Sequence, residues 1–241
     1  MNGNGKGYQK EKEMPITVMT KALSLFTSLV FSLVPMPQPA EDWKAQKKNI
    51  DVFKKVSPSV VYIYNVQTTG QRVYGSGVVF SEAGDIITAA HVTKDYDLIT
   101  CEFVDGTSHT AMVILRDEGR DLATLKLDTL PEKLHPIKFR EKAIKIGKPL
   151  YALGSPFKQK FSLSKGIVSQ IRNEVVKPGA YIIMGALQTD ASLNPGNSGG
   201  AIVDDKGQLV GIASLLLGAA TSTGVAYGIP VAELEKFIGG N

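Results

Sequence analysis

Between residues 60 and 214 the chain is a succession of short apolar runs, each cut off by glycine, proline or an acidic turn. The runs fall at 60–66, 98–103, 110–115, 122–127, 150–154, 161–170, 181–188, 200–204 and 208–214. Shorter ones lead from Gly75-Ser76-Gly77 into Val78-Val79-Phe80, and from the turn Glu82-Ala83-Gly84-Asp85 into Ile86-Ile87. Most are too short for a helix, and several alternate in period two, so the pattern predicts an all-β domain of the sandwich or barrel kind. Two stretches depart from it. Residues 43–55 are polar and helix-compatible until Val56-Ser57-Pro58-Ser59, and residues 231–238 carry a helical apolar stripe (231, 234, 237, 238) just after Pro230. The expected class is therefore all-β with short N- and C-terminal helices.

About 200 residues beyond an N-terminal leader suffice for one all-β domain with a core that needs no disulfides. The only cysteine of the 241 residues, Cys101, lies in the run 98–103 and has no partner for an internal bridge. Packing is its expected role. With no histidine or glycine-rich turn beside it, it makes a poor nucleophile. The net charge of +4 is modest; residues 1–40 hold four Lys and two Glu, which leaves +2 for the rest. No basic cluster is interleaved with aromatics, so nucleic acid is not an expected partner. The lysines of 44–55 read as a solvated face.

The N-terminus has its own logic. Residues 1–13 are Gly- and Lys-rich and are expected to be disordered. Lys21 then precedes the 13-residue apolar run 22–34, followed by Pro35-Met36-Pro37-Gln38-Pro39-Ala40. This is the order of a secretory signal peptide, although Gln38 is not the small residue preferred before cleavage. Counting from Ile16, the 19 mostly apolar residues of 16–34 approach the length of a membrane span, with Lys21 inside. A cleaved signal and an uncleaved membrane anchor both fit. Either assigns residues 1–40 to a leader and places the domain 41–241 outside the cytoplasm.

The chemistry points to one segment, Asn194-Pro195-Gly196-Asn197-Ser198-Gly199-Gly200. A serine nucleophile needs an exposed hydroxyl on a tight turn and backbone N–H groups aimed at the oxyanion that forms beside it. Flanking glycines permit both. Alone, the segment reads equally well as a turn without chemistry. A base and an orienting acid upstream tip the balance. Of the three histidines, His109 and His135 sit in polar or loop sequence, whereas His91 closes Ile86-Ile87-Thr88-Ala89-Ala90, at the expected end of a buried strand with little bulk around it. Asp121, immediately before the alternating run Leu122-Ala123-Thr124-Leu125-Lys126-Leu127, is the fitting acid; Asp117 and Asp128 read as solvated turns.

Thr88-Ala89-Ala90-His91, Asp121-Leu122-Ala123, and Gln188-Thr189-Asp190-Ala191 running into Gly196-Asn197-Ser198-Gly199-Gly200 together resemble the HtrA (DegP/DegS-like) family of trypsin-like serine proteases. Tyr151-Ala152-Leu153-Gly154-Ser155-Pro156-Phe157, Ser164-Lys165-Gly166-Ile167-Val168-Ser169 and Ala226-Tyr227-Gly228-Ile229-Pro230 extend the resemblance over residues 50–238. The order His, Asp, Ser is that of the chymotrypsin clan.

The resemblance implies a chymotrypsin-like double β-barrel, with His91 and Asp121 on the first barrel, Ser198 on the second and the boundary near 130–148. It also implies the roles: Ser198 would attack a peptide carbonyl, His91 would move the proton, and Asp121 would orient the imidazole. The oxyanion hole would be the N–H groups of Gly196 and Ser198, with Asn197 contributing to its geometry. Ser192, Leu193, Leu215, Leu216 and Val225 would line the pocket for the residue before the cut. No carboxylate falls at Ser192, so small or medium aliphatic side chains are favoured over Lys or Arg. Neutral Asn197 replaces the aspartate that digestive enzymes pair with a new N-terminus, so zymogen-type activation is not expected; by the family's pattern, loops at 173–180 and 217–224 would order the site instead.

By the same resemblance the partners would be polypeptide substrates, unfolded or misfolded, with no cofactor and no metal. A homotrimer through Tyr62, Tyr64 and Phe53 is a further expectation. The sequence stops at Asn241, so a protease domain without a PDZ domain is expected. Two other readings share the sequence pattern: a dedicated processing protease of the same fold, and a non-catalytic chaperone or binding module.

Overall fold

The computed structural model describes residues 42–66, 72–177, 181–214 and 224–240. The leader expected in residues 1–40 lies outside them. Helix α1 (Asp42–Val56) buries Val52 and Val56 one turn apart and exposes its lysines, including Lys47, which pairs with Asp51 at 2.7 Å. Pro58, lacking an N–H, ends it in the 3-10 turn Ser57–Ser59. Asn49 Oδ1 accepts a hydrogen bond from the Tyr151 hydroxyl at 3.1 Å, which ties the helix to the body of the domain.

Six strands, β1 (Val60–Val66), β2 (Arg72–Val79), β3 (Asp85–Thr88), β4 (Leu98–Glu102), β5 (Ser108–Asp117) and β6 (Leu122–Leu127), close an antiparallel barrel in the order β1-β2-β3-β6-β5-β4. After residues 128–148 come β7 (Pro149–Gly154) and β8 (Ser162–Ile171), then a separate two-stranded hairpin of β9 (Glu174–Lys177) and β10 (Tyr181–Met184). The chain finishes with β11 (Leu187–Thr189), β12 (Ala201–Val203), β13 (Leu209–Ser214) and β14 (Ala226–Pro230). These last four and β7 and β8 close a second barrel in the order β11-β14-β13-β12-β7-β8. The double barrel is the expected class.

Period-two alternation explains how two barrels share one body. Val61, Ile63, Val79, Ile86, Ile99 and Leu125 fill the interior of the first barrel. Leu150, Ala152, Val168, Leu187, Ile202 and Ala213 fill the second. Their strand neighbours point the other way, and Val60, Val78, Ile87 and Leu122 join Tyr151, Leu153, Ala201 and Ile212 in a single cluster between the barrels. A one-residue slip in any of these strands would exchange interior for interface. Part of the connector straps the outside: Ile137 N–H donates to Val79 O at 2.9 Å, and Arg140 N–H to Leu209 O at 2.9 Å. Helix α3 (Val231–Gly239) closes the chain with Val231, Leu234 and Phe237 buried and Gly240 in the left-handed region at φ +77°.

Several sequence expectations are corrected. The run before His91 stops pairing at Thr88, and His91 lies in the single-turn helix α2 (Ala90–Thr93). The run 181–188 is two strands, broken where Gly185 takes φ +60°. Residues 174–177, expected in a loop, form β9 because their partner strand pairs Ile182 with Val176 and Ile183 with Val175. Ile238, expected on the buried stripe of the last helix, is exposed.

Cys101 is fully buried inside the first barrel, and burial, with the charge of Asp128 adding, pushes its thiol up to about 12. The folded protein is expected to leave Ellman's reagent unreacted at about pH 8, where even an ordinary thiol is partly ionised, and to react at one thiol when unfolded. Above the ordinary value of 9.0 the unfolded chain loses this proton while the folded chain keeps it to about 12, so stability is lost as the pH rises through that window. Rapid native labelling, or stability flat across the window for Cys101→Ser minus wild type, would contradict this burial.

Candidate active site

His91 enters the site on a helix of one turn whose flanking residues Ala89 and Ala90 are buried and small. The far end of that turn is held by Arg116, which donates from Nε to Thr93 Oγ1 at 3.0 Å and from Nη2 to the Thr93 and Tyr96 carbonyls at 2.7 and 2.9 Å. A guanidinium on the last carbonyls of a turn is favourably placed against its dipole. The imidazole itself is 40% exposed, so one side remains open.

Asp121 is 1% exposed and sits at φ +58°, a left-handed conformation that aspartate tolerates better than most residues. Its Oδ1 accepts the His91 N–H at 3.1 Å and the His91 Nδ1–H at 2.9 Å, and its Oδ2 accepts the Ser214 hydroxyl at 2.7 Å. Its carbonyl accepts the Ala90 N–H at 3.1 Å. A buried carboxylate facing Nδ1 fixes the proton there and leaves Nε2 as the acceptor. Tyr181 of β10 donates to Ser214 Oγ at 3.5 Å; burial, with the negative charge of Asp121 adding, pushes its phenol well above the ordinary range. Asp117 and Asp128 take no part: the first receives the Arg120 N–H at 3.0 Å and the second is exposed.

Ser198 lies on the tight turn between β11 and β12, with Asn197 N–H donating to Asn194 O at 2.9 Å and Gly200 N–H to Asn197 O at 2.8 Å. Gly196 and Gly199 take φ +104° and +80°, so only glycine fits at either. Ser198 O accepts the Ser76 N–H at 2.9 Å, and Gly199 N–H donates to Ala213 O at 2.7 Å, one residue before Ser214. The turn is therefore seated on the first barrel. A Cβ on Gly199 would overlap Ser76 O and Thr88 Oγ1 and stand 2.9 Å from Ala89 N. A Cβ on Gly75 would meet Val92 Cγ1 at 2.5 Å and Ser198 O at 3.2 Å. Thr88, Ala89 and Val92, which bracket His91, and the Ser198 carbonyl thus pack around two glycines, Gly75 and Gly199. Asn197 is buried and neutral.

The expected specificity residues are less gathered. Ser192 is exposed, with its carbonyl accepting the Ser164 hydroxyl at 2.9 Å. Leu193 is half-buried against the second barrel's interior, and Val225 is 41% exposed. Leu215 and Leu216 lie outside the described residues, as does 217–223 of the second expected loop. A cavity of about 390 Å³ opens elsewhere, between Arg140, Ile144, Met184 and Val231, and includes none of the site residues. Among the described residues no group of His, Cys, Asp and Glu is placed to hold a metal ion. Of the residues expected in a trimer contact, Tyr62 is buried in its own chain beneath Lys160, and Phe53 packs on the core.

Sequence reading singled out neither Ser214 nor Ser76. Ser214 ends an entirely buried apolar strand, where a serine needs a polar partner. Ser76 sits between two glycines, and that small-residue triplet was the available signal of a close backbone approach.

Two closed antiparallel barrels, with a His–Asp pair on one and a glycine-set serine on the other, make up the trypsin-like peptidase fold. A sequence model of the trypsin-like peptidase domain matches residues 75–212. Protease Do-like 1, chloroplastic, of Arabidopsis thaliana is 33% identical over 195 residues, covering 76% of this chain and 44% of that protein. Protease Do-like 5, chloroplastic, of the same plant is 32% identical over 221 residues, covering 80% of this chain and 68% of that protein. The solved HtrA-type protease AlgW with a tripeptide matches with a TM-score of 0.70 at 30% identity, over 80% of this chain and 64% of that one. The chain belongs to the HtrA (Do-like) family of trypsin-like serine proteases. It spans less than half the length of the first relative named.

Gly199→Ala tests the seating of the serine turn. Left-handed strain plus overlap with the first barrel is expected to lower the unfolding free energy by at least about 2 kcal/mol in urea titration. Wild-type stability in this variant would mean that the turn stands clear of the first barrel.

Proposed function

We propose that the chain is a serine endopeptidase that hydrolyses peptide bonds of unfolded or misfolded proteins. The observation that carries this reading is the fully hydrogen-bonded, buried carboxylate of Asp121 against His91 Nδ1, on the barrel where the Ser198 turn is seated. Ser198 Oγ attacks the substrate carbonyl while His91 Nε2 takes its proton. The tetrahedral oxyanion is received by the Gly196 and Ser198 N–H groups, with Asn197 shaping the turn. Collapse expels the amine with the proton from His91 and leaves an acyl-enzyme; water, activated by the same imidazole, hydrolyses it. Asp121 holds the tautomer and stabilises the imidazolium. No cofactor enters any step.

Ser192, Leu193, Leu215, Leu216 and Val225 form the pocket before the cut in this reading, and with no carboxylate among them small or medium aliphatic residues are preferred. Residues 41–241 constitute the protease domain, its barrels joined through 130–148, and residues 1–40 a signal or membrane anchor over 16–34 that delivers it outside the cytoplasm. The signal-like order of that leader supports the placement. Among the described residues no helix is long and apolar enough to cross a membrane. A trimer contact would draw on Tyr64 and the exposed flank of Phe53, since Tyr62 is engaged within its own chain.

A fluorescent phosphonate is expected to label the wild type on Ser198 and to leave Ser198→Ala unlabelled, with His91→Ala nearly so. Cleavage of unfolded casein should fall by about 10⁶ in Ser198→Ala, the loss seen when such a serine is removed. Wild-type-like cleavage by either variant would overturn the assignment. Sequencing the casein fragments is expected to show Val, Ala or Leu before most cuts; predominant cutting after Lys or Arg would contradict the pocket.

A further inference from the structure

Ser76 of β2 is fully buried and makes four hydrogen bonds, three of them to the second barrel. Its Oγ–H donates to the Gly196 carbonyl at 2.8 Å, and the same oxygen accepts the Ser155 N–H at 3.0 Å. Its N–H donates to the Ser198 carbonyl at 2.9 Å, and its carbonyl accepts the Thr88 hydroxyl at 2.7 Å. The residue thus grips the serine turn at two carbonyls, one on each side of Asn197.

Gly196 is where that grip matters. Its Cα joins two peptide planes, and at φ +104° it has no side chain to set their orientation. The preceding plane carries the Gly196 N–H, and its carbonyl, Pro195 O, is clamped by the Phe157 N–H at 2.7 Å. The following plane carries the Gly196 carbonyl, clamped by Ser76 Oγ, and the Asn197 N–H, which donates within the turn to Asn194 O at 2.9 Å, so that Ser76 supplies the clamp from outside the turn. A glycine held by one plane can swing the other at little steric cost; held by both, its N–H has a fixed direction. Oxyanion stabilisation depends on donors that are aimed before the charge appears.

We infer that Ser76 is a positioning residue: its hydroxyl, supplied by the first barrel, locks the Gly196–Asn197 peptide so that the Gly196 and Ser198 N–H groups converge on the forming oxyanion. The inference rests on the hydrolytic reading given above. Because the first barrel also carries His91 and Asp121, Ser76 places the proton acceptor and the oxyanion donors in one rigid frame. Removing the hydroxyl leaves the Gly196 carbonyl and the Ser155 N–H buried without this partner, and rotation of the turn is the cheapest way to relieve that cost. Ser76 touches neither substrate nor the reacting atoms, so its effect is on aim.

The test compares wild type and Ser76→Ala on a peptide substrate with an aliphatic residue before the cut, below the melting temperature of both. The expected result is a fall in kcat of about 10–100-fold with KM within about twofold, the scale set by misaiming one catalytic group. Affinity for a peptide boronic acid, whose boronate oxygen occupies the oxyanion position, should fall by the same factor as kcat. A purely structural role would lower the melting temperature and leave both quantities unchanged, and that result would overturn the inference while wild-type turnover upheld the hydrolytic reading. Absence of wild-type turnover would overturn that reading and the inference with it. If Ser76→Ala does not fold, Ser76→Cys, with a weaker donor in a similar shape, is expected to lose kcat in the same direction at unchanged KM; undiminished kcat there would equally overturn the inference.

Discussion

At Gly199 the serine turn of the second barrel comes so close to the first that a methyl group has no room, and at Gly75 the Val92 side chain, with Ser198 O beside it, leaves none either. Everything at the site depends on this approach. It brings the Ser198 carbonyl onto the Ser76 N–H and seats Gly199 against Thr88 and Ala89, just ahead of His91. At Gly199 the crowding comes from Ser76 O, Thr88 Oγ1 and Ala89 N, and at Gly75 from the Val92 side chain and Ser198 O, which is why glycine is required at both. Side-chain packing between barrels, through Val78, Ile87, Leu153 and Ala201 among others, supplies the apolar burial that holds the two strands together.

The buried charge of Asp121 is the second constraint. An ionised carboxylate at 1% exposure is tolerable only when its oxygens are hydrogen-bonded, and here two donors come from His91 and one from Ser214. The donors belong to different barrels, so the carboxylate also ties β13 to the His91 turn. Tyr181 extends the chain of contacts to the β9–β10 hairpin, whose Ile182 N–H donates to Gly119 O at 3.0 Å, two residues before Asp121. The hairpin therefore buttresses the acid.

Much of the fold was legible because barrels write themselves in alternation. Runs such as 60–66, 122–127 and 208–214 correspond closely to β1, β6 and β13, since each must satisfy an interior on one face and an interface on the other. What alternation cannot register is a break of one or two residues. Ala89 and Ala90 continue the run as small apolar residues, yet the strand ends at Thr88, where the Ala90 N–H is drawn to Asp121 O, a contact distant in sequence. Gly185 breaks 181–188 by a left-handed turn that composition alone does not demand. At the site, His91, Asp121 and the glycine-rich turn were readable as residue types suited to one chemistry. Ser76 was marked only by its flanking glycines and Ser214 only by its apolar strand, and the role of each becomes visible once the partners that satisfy the buried hydroxyl are known.

Hydrolysis as proposed requires Ser198, His91 and the Gly196 and Ser198 amides to converge on one reacting carbon. A crystal structure with a peptide boronic acid measures this directly. Boron is expected to be bonded to Ser198 Oγ, with one boronate oxygen accepting from both N–H groups and the other within hydrogen-bond reach of His91 Nε2. An unmodified Ser198, or an adduct whose oxygen points away from both amides, would contradict it.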